Sequence, residues 1–235
     1  MRTRTWPTVW SAIRLLAAAV IMTALVGQFV TTVRAAISAD RDVATTIANF
    51  FSFFTILSNL IAVLALLAAV VWFWMRPPHE DREPRGIAVA LAGATTYLVI
   101  TGVVYNLLLR GLPTADDHVA WANEILHVVA PLFLVIDLLV APTHRALRWR
   151  AVAIILAAPI AWIVYTLIRG PFVLDPVRGV AFWYPYPFLN PNGVAGWGGV
   201  WAYVAGIAVT FVVVGTIVVA VGRLRTRGAR TAVTV

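Results

Sequence analysis

The sequence has no cysteine and no lysine, and only 12% of its 235 residues are charged. Without cysteine there is no disulfide-stapled secreted domain. A soluble domain carries about a quarter charged residues. Half that share excludes an ordinary soluble enzyme, and the apolar excess excludes a disordered chain. All eighteen basic residues are arginine, and with ten acidic residues the net charge is +8. Nucleic-acid binding would need those arginines clustered beside aromatics on a soluble face. Here they separate long apolar runs, so no nucleic-acid partner is expected. What is present in quantity is hydrophobic surface: 61% of the residues, with a mean hydropathy of +0.88. The class that remains is an all-α, polytopic membrane protein whose partner is the lipid bilayer.

An apolar stretch of about 20 residues crosses the hydrocarbon core as a helix, and charges mark its limits. By that rule one six-helix domain fills the chain, with spans at about 10–33, 45–75, 86–109, 119–141, 151–168 and 198–222. The fourth span is the least regular, because Glu124, His127 and Asp137 interrupt it. Thirteen arginines fall at the N-terminus, near Arg76, near Arg145 and in the C-terminal tail. Five fall on the opposite side: Arg34, Arg41, Arg110, Arg169 and Arg178. Short cytoplasmic loops collect positive residues, so both termini are expected in the cytoplasm of a plasma-membrane protein. Six spans also require the termini to share a side.

Arg2 and Arg4 before an apolar run resemble a signal peptide, but the run is long and more spans follow, which favours an uncleaved first helix. One connection is long. The outer segment 170–197, rich in aromatics, proline and glycine, cannot form a regular helix and suits the headgroup layer. It reads either as a lid over the outer mouth of the bundle or as a simple interfacial belt.

Polar side chains in hydrocarbon usually face the bundle interior and have a partner. On the second span, NFFSFFTILSN places Asn49, Ser52, Thr55 and Asn59 within an arc of about 120°, away from Phe50, Phe51, Phe53 and Phe54. On the fourth, WANEILHVVAP places Asn123, Glu124 and His127 within about 100°. Thr55 and His127 are expected at comparable depth in the outer half of the bilayer. A hydroxyl and an imidazole at one level form a possible nucleophile and base. The plainer readings are that Thr55 bonds back to its own helix and that His127 relays protons or holds a substrate. Glu124, one turn outward, could orient the imidazole, or be a solvated interface carboxylate. Asp137 is expected to pair with Arg14. Asp116, Asp117 and His118 read as a solvated turn, and Thr101, Tyr105 and Asn106 could line the same cavity as the dyad. One intramembrane histidine cannot ligate a haem from both faces. There is also no H-E-x-x-H, C-x-x-C, G-x-S-x-G or Walker loop. No metal and no cofactor is expected.

Six spans with FFSFFTILSN on the second, NEILHVVAP on the fourth and YPYPFLNP before the sixth resemble the androgen-induced, FAR-type membrane proteins, and most closely their bacterial Pr-six-Pr branch. The similarity runs from about Val9 to Val221. In the animal members a threonine and a histidine hydrolyse fatty-acid esters of hydroxy fatty acids, and their positions correspond to Thr55 and His127. The resemblance therefore implies an intramembrane esterase acting on an amphiphilic, lipid-like substrate. Asn59, Ser52 and Asn123 are the side chains available to an oxyanion, while Tyr184, Tyr186 and Trp183 could close over the acyl chains. Two rival classes remain open: a membrane carrier or receptor for a small amphiphile, and a structural six-helix protein.

Overall fold

The computed structural model describes residues 5–77, 79–112 and 117–231, the last five of them by backbone alone. Arg2, Arg4 and Asp116, which figure in the topology and the outer acidic turn, lie outside the described residues, as do the side chains of Arg227 and Arg230. The helices are α1 (Thr5–Ser38), α2 (Val43–Phe50), α3 (Phe54–Met75), α4 (Arg85–Val104), α5 (Ala120–Glu124), α6 (Ala130–Val140), α7 (Arg150–Arg169) and α8 (Gly196–Thr231). A π-helical turn, Tyr105–Leu109, prolongs α4, and a second, Ile125–Val129, welds α5 to α6. Six continuous stretches are long and apolar enough to cross a membrane, and no strand occurs among the described residues. The chain is a multi-pass, all-helical membrane protein.

The second span differs from the expected single helix over 45–75. It is broken at Phe51–Phe53, where Phe53 is extended (ψ 129°) and α3 starts afresh at Phe54. The phenylalanines supply the reason. In one straight helix Phe50 and Phe54, four residues apart, would share a face. Here Phe50 enters the cluster around Ile21, Leu25 and Leu126. Phe54 enters the other cluster, with Tyr97, Ile155 and Phe211. The break turns them apart, and Trp162 Nε1 caps the freed Ser52 carbonyl at 2.9 Å.

Apolar burial gives little drive for helix association inside lipid, so close packing and polar bonds must supply it. The interior is accordingly rich in small residues: Ala18, Ala24, Ala62, Ala69, Ala94, Ala122 and Ala130 are all buried. Helix α4 is enclosed between the two clusters. In α7, Pro159 lacks the N–H that would bond the Ile155 carbonyl; the Tyr97 hydroxyl of α4 donates to that carbonyl instead, at 2.6 Å.

One end of the bundle is closed by a buried ion cluster. Arg14 grips Asp137 through Nε and Nη2 at 2.7 and 2.8 Å, and donates from Nη1 to Glu83 at 2.7 Å. Trp10 Nε1 adds a bond to Asp137 at 2.7 Å, and Thr143 one to Glu83 at 2.6 Å. The expected Arg14–Asp137 pair is present, and Glu83 is its unforeseen third member. From α8, Arg223 reaches the Leu147 carbonyl and Arg225 that of Ala141. The start of α1, both arginine-bearing loops and the end of α8 therefore meet at this terminal end. At the far end, Thr32 donates to Asp117 at 2.6 Å and Arg169 to Asn49 at 2.8 Å.

Candidate functional site

Three irregular pieces of backbone converge near the far end. Thr55 is the second residue of α3, directly after the break. Tyr105 and His127 each sit in a π-helical turn. Such turns are rare insertions that re-aim side chains, and they gather at functional sites. The π register at His127 rests on Pro131 within the span and on a donor from α3. Ala130 N–H bonds the Ile125 carbonyl, five residues back. The next carbonyl, Leu126, would need a donor from Pro131, which has none. Asn59 Nδ2 of α3 supplies it, at 3.3 Å. Gly102 of α4 packs so near that a Cβ there would lie 2.9 Å from the His127 carbonyl, so a larger residue would push the two helices apart.

Thr55 Oγ1 and His127 Nε2 are 3.2 Å apart. His127 Nδ1 is 3.0 Å from the Asn123 carbonyl oxygen. A carbonyl can only accept, so Nδ1 carries a proton, and when the ring is neutral Nε2 presents a lone pair. The Thr55 hydroxyl must then donate to Nε2. The Tyr186 hydroxyl lies 3.3 Å from Thr55 Oγ1 and accepts from the Thr55 backbone N–H, also at 3.3 Å. With the Thr55 proton directed at histidine, Tyr186 donates to Thr55. The result is a directional chain from Tyr186 through Thr55 and His127 to a backbone carbonyl. Tyr105 holds the imidazole from its face, with ring centroids 4.0 Å apart and planes 26° apart. Asn123 Nδ2 fixes the Tyr105 hydroxyl at 2.5 Å.

The other expected participants fall elsewhere. Glu124 does not touch His127: it pairs with Arg110 at 3.0 Å, both side chains half-exposed. The arc shared by Glu124 and His127 holds for an ideal helix, and the π turn Ile125–Val129 rotates the histidine away from it. Of the three side chains expected to serve an oxyanion, none faces Thr55 Oγ1. Asn59 bonds the Thr55 and Leu126 carbonyls. Ser52 bonds the Ala48 carbonyl and the Tyr165 hydroxyl, and Asn123 holds Tyr105. Each belongs to the frame that holds the site and does not bond Thr55 Oγ1.

In the connection between α7 and α8, the ring of Tyr184 lies flat on Gly170, where a Cβ would overlap it. Trp183 meets Phe53 edge-on and receives the Arg169 guanidinium on its face. These contacts fasten the connection to the bundle. Tyr186 goes deeper and reaches Thr55, a role its sequence position did not reveal.

A cavity of about 50 Å³ opens onto Thr55 and His127 and is walled by Phe54, Tyr105, Trp162, Tyr186, Phe188 and Phe211. Thr101 also lines it, while Asn106 turns back to the Gly102 carbonyl. The walls from α7 and α8 are apolar residues that carry no chemical signal in the sequence. Among the described residues, the polar groups that meet at Thr55 Oγ1 are His127 Nε2 and the Tyr186 hydroxyl, with the Thr55 backbone N–H beside them. Comparison with protein-family models, with curated proteins and with solved structures found no match.

Proposed function

We propose that the protein is an intramembrane hydrolase of lipid esters, with Thr55 as nucleophile and His127 as base. The observation that carries this reading is the 3.2 Å contact between Thr55 Oγ1 and the lone-pair nitrogen of an imidazole, whose other nitrogen is held by the Asn123 carbonyl. Nucleophile, base and orienting group within hydrogen-bond reach are what acyl transfer requires. A backbone carbonyl stands where many hydrolases use a carboxylate, and it fixes the tautomer equally well.

In the proposed reaction the ester carbonyl comes to rest against Thr55. His127 Nε2 removes the hydroxyl proton as Oγ1 attacks the carbonyl carbon. The negative charge that forms on the carbonyl oxygen faces the Thr55 N–H and the Tyr186 O–H, the two donors nearest Oγ1. The acyl–oxygen bond breaks, and the imidazolium returns its proton to the departing alkoxide. Water, deprotonated by the same nitrogen, then releases the fatty acid and restores Thr55. The apolar surroundings and the resemblance of the span motifs to the FAR-type family favour a substrate such as a fatty-acid ester of a hydroxy fatty acid. Thirteen arginines on one side against five on the other favour a plasma-membrane protein with cytoplasmic termini and a site in the outer leaflet.

The test is hydrolysis of a panel of lipid esters by the purified protein in nanodiscs, beside Tyr186→Phe. The wild type releases the acid. The variant loses about 10²-fold in kcat with KM little changed, the usual cost of one oxyanion donor. An unchanged kcat would remove Tyr186 from the reaction. Binding of the same esters without turnover by the wild type would identify a carrier instead.

A further inference from the structure

A second cavity, of about 140 Å³, lies between α7 and α8. Leu156, Pro159, Ile163, Ala208 and Val212 line its length. It shares one wall with the Thr55–His127 cavity: Trp162, Phe188, Ile207 and Phe211 face both. Trp162 belongs to α7, Ile207 and Phe211 to α8, and Phe188 to the connection between them, so all three form that wall. The only polar side-chain atom among these nine residues, Trp162 Nε1, is already bonded to the Ser52 carbonyl. The second cavity therefore offers nothing to a headgroup and suits hydrocarbon alone. On the α8 side the small Ala208 side chain leaves room in it.

Size separates the two spaces by task. The 50 Å³ beside Thr55 admits a carbonyl and its immediate neighbours, whereas whole small-molecule sites run to about 300 Å³ or more. An ester with a long acyl group must extend beyond it, and the shared wall is where an apolar cavity continues. Along α8, Val204 to Val212 covers about 12 Å of helix axis, directed from the far end toward the middle of the span. An extended alkyl chain with bonds near 1.5 Å advances about 1.3 Å per carbon, so this length matches about nine carbons.

We infer that the α7–α8 crevice is the acyl-chain site of the enzyme: it takes one saturated chain, the acyl group whose carbonyl is attacked by Thr55. The inference rests on the hydrolase reading for the carbonyl's position and adds the class and course of the chain. The chain leaves the reacting centre past Trp162 and Phe211 and runs toward Leu156 and Val212, parallel to the surrounding lipid. Its length, and not its headgroup, is what this crevice selects.

Two measurements test it together. The first is a series of esters with acyl groups from four to eighteen carbons, hydrolysed by wild type and by Ala208→Trp. Wild-type kcat/KM rises with chain length until the crevice is full and then levels. In Ala208→Trp, long-chain esters lose on the order of tenfold while the four-carbon ester stays within about twofold, as expected when only pocket contacts are removed. Equal losses at all lengths overturn the inference. The second uses an ester with a photoreactive group at the end of its acyl chain, crosslinked to Thr55→Ala protein. Label is expected on residues 156–163 or 204–212, and an excess of the plain ester should compete it away. Label on other helices, or label that resists competition and so reports bulk lipid, overturns the chain site. Competed label in a wild type that hydrolyses nothing would sink the chemistry and leave the chain site standing. Hydrolysis without that label would do the reverse.

Discussion

Alanine at position 55 or at position 127 is expected to lower ester hydrolysis by about 10³-fold or more, and the double variant is expected to lose no more than either single one. In the proposed reaction the two side chains act as one device: without the imidazole the hydroxyl keeps its proton, and without the hydroxyl the imidazole has nothing to activate. The fold should survive the first substitution. The bonds from Ser58 and Asn59 go to the Thr55 carbonyl and not to its side chain, so the start of α3 is retained. Thr55→Ser, which keeps the hydroxyl, should keep measurable activity. His127→Ala also removes the ring on which Tyr105 stacks, so His127→Gln is the better companion, being closer in volume. Losses that simply multiply in the double variant would show two independent roles. Losses explained by a lower unfolding temperature would point to packing.

Arg14→Met is expected to be the most destabilising single change at the terminal end, by about 3–5 kcal/mol, the cost of leaving a buried ionic partner uncompensated. Arg14 is 4% exposed, and Asp137 and Glu83 are 4% and 1% exposed. Asp137 would keep only the Trp10 N–H, and Glu83 would keep the Thr143 hydroxyl and lose its cation. His144 cannot take over, because burial pushes its imidazole down to about 4 and leaves it neutral at physiological pH, and the Arg225 guanidinium is engaged with the Ala141 carbonyl. Replacing Arg14, Asp137 and Glu83 together by apolar residues of similar volume should recover much of the loss, since a well-packed apolar substitute is often neutral or better. Unfolding in denaturant from detergent micelles reads both effects. A stability for Arg14→Met equal to wild type would contradict the cluster's role in joining α1 to α6.

Periodicity and charge limits are strong signals in lipid, because every backbone polar group must be satisfied inside a helix. Six spans, the Arg14–Asp137 pair and the placement of Thr55 near His127 were therefore legible from residues alone. What periodicity does not carry is where a span departs from an ideal helix. The break at Phe51–Phe53 depends on which cluster each phenylalanine enters, and that is decided by α1, α7 and α8, far off in sequence. The π turn at His127 depends on Asn59 reaching across from another helix to the Leu126 carbonyl. A local signal did exist: Pro131, four residues after His127, announces a disturbed hydrogen-bond ladder. Tyr186 stands in the aromatic connection between α7 and α8, yet nothing marks it out from Tyr184 before the chain is folded. Glu124 looked suited to orient the imidazole because carboxylates often do so. A backbone carbonyl has no sequence signature, and it holds that place.

The proposed hydrolysis requires Thr55 to be a nucleophile that the His127 ring activates. The protein in lipid nanodiscs should be treated with a serine- and threonine-directed acylating probe, digested, and the modified peptide identified by mass spectrometry. Labelling of Thr55 in the wild type, absent in Thr55→Ala and in His127→Gln, is the expected result. A folded wild type in which Thr55 stays unmodified, or equal labelling with and without His127, would contradict it.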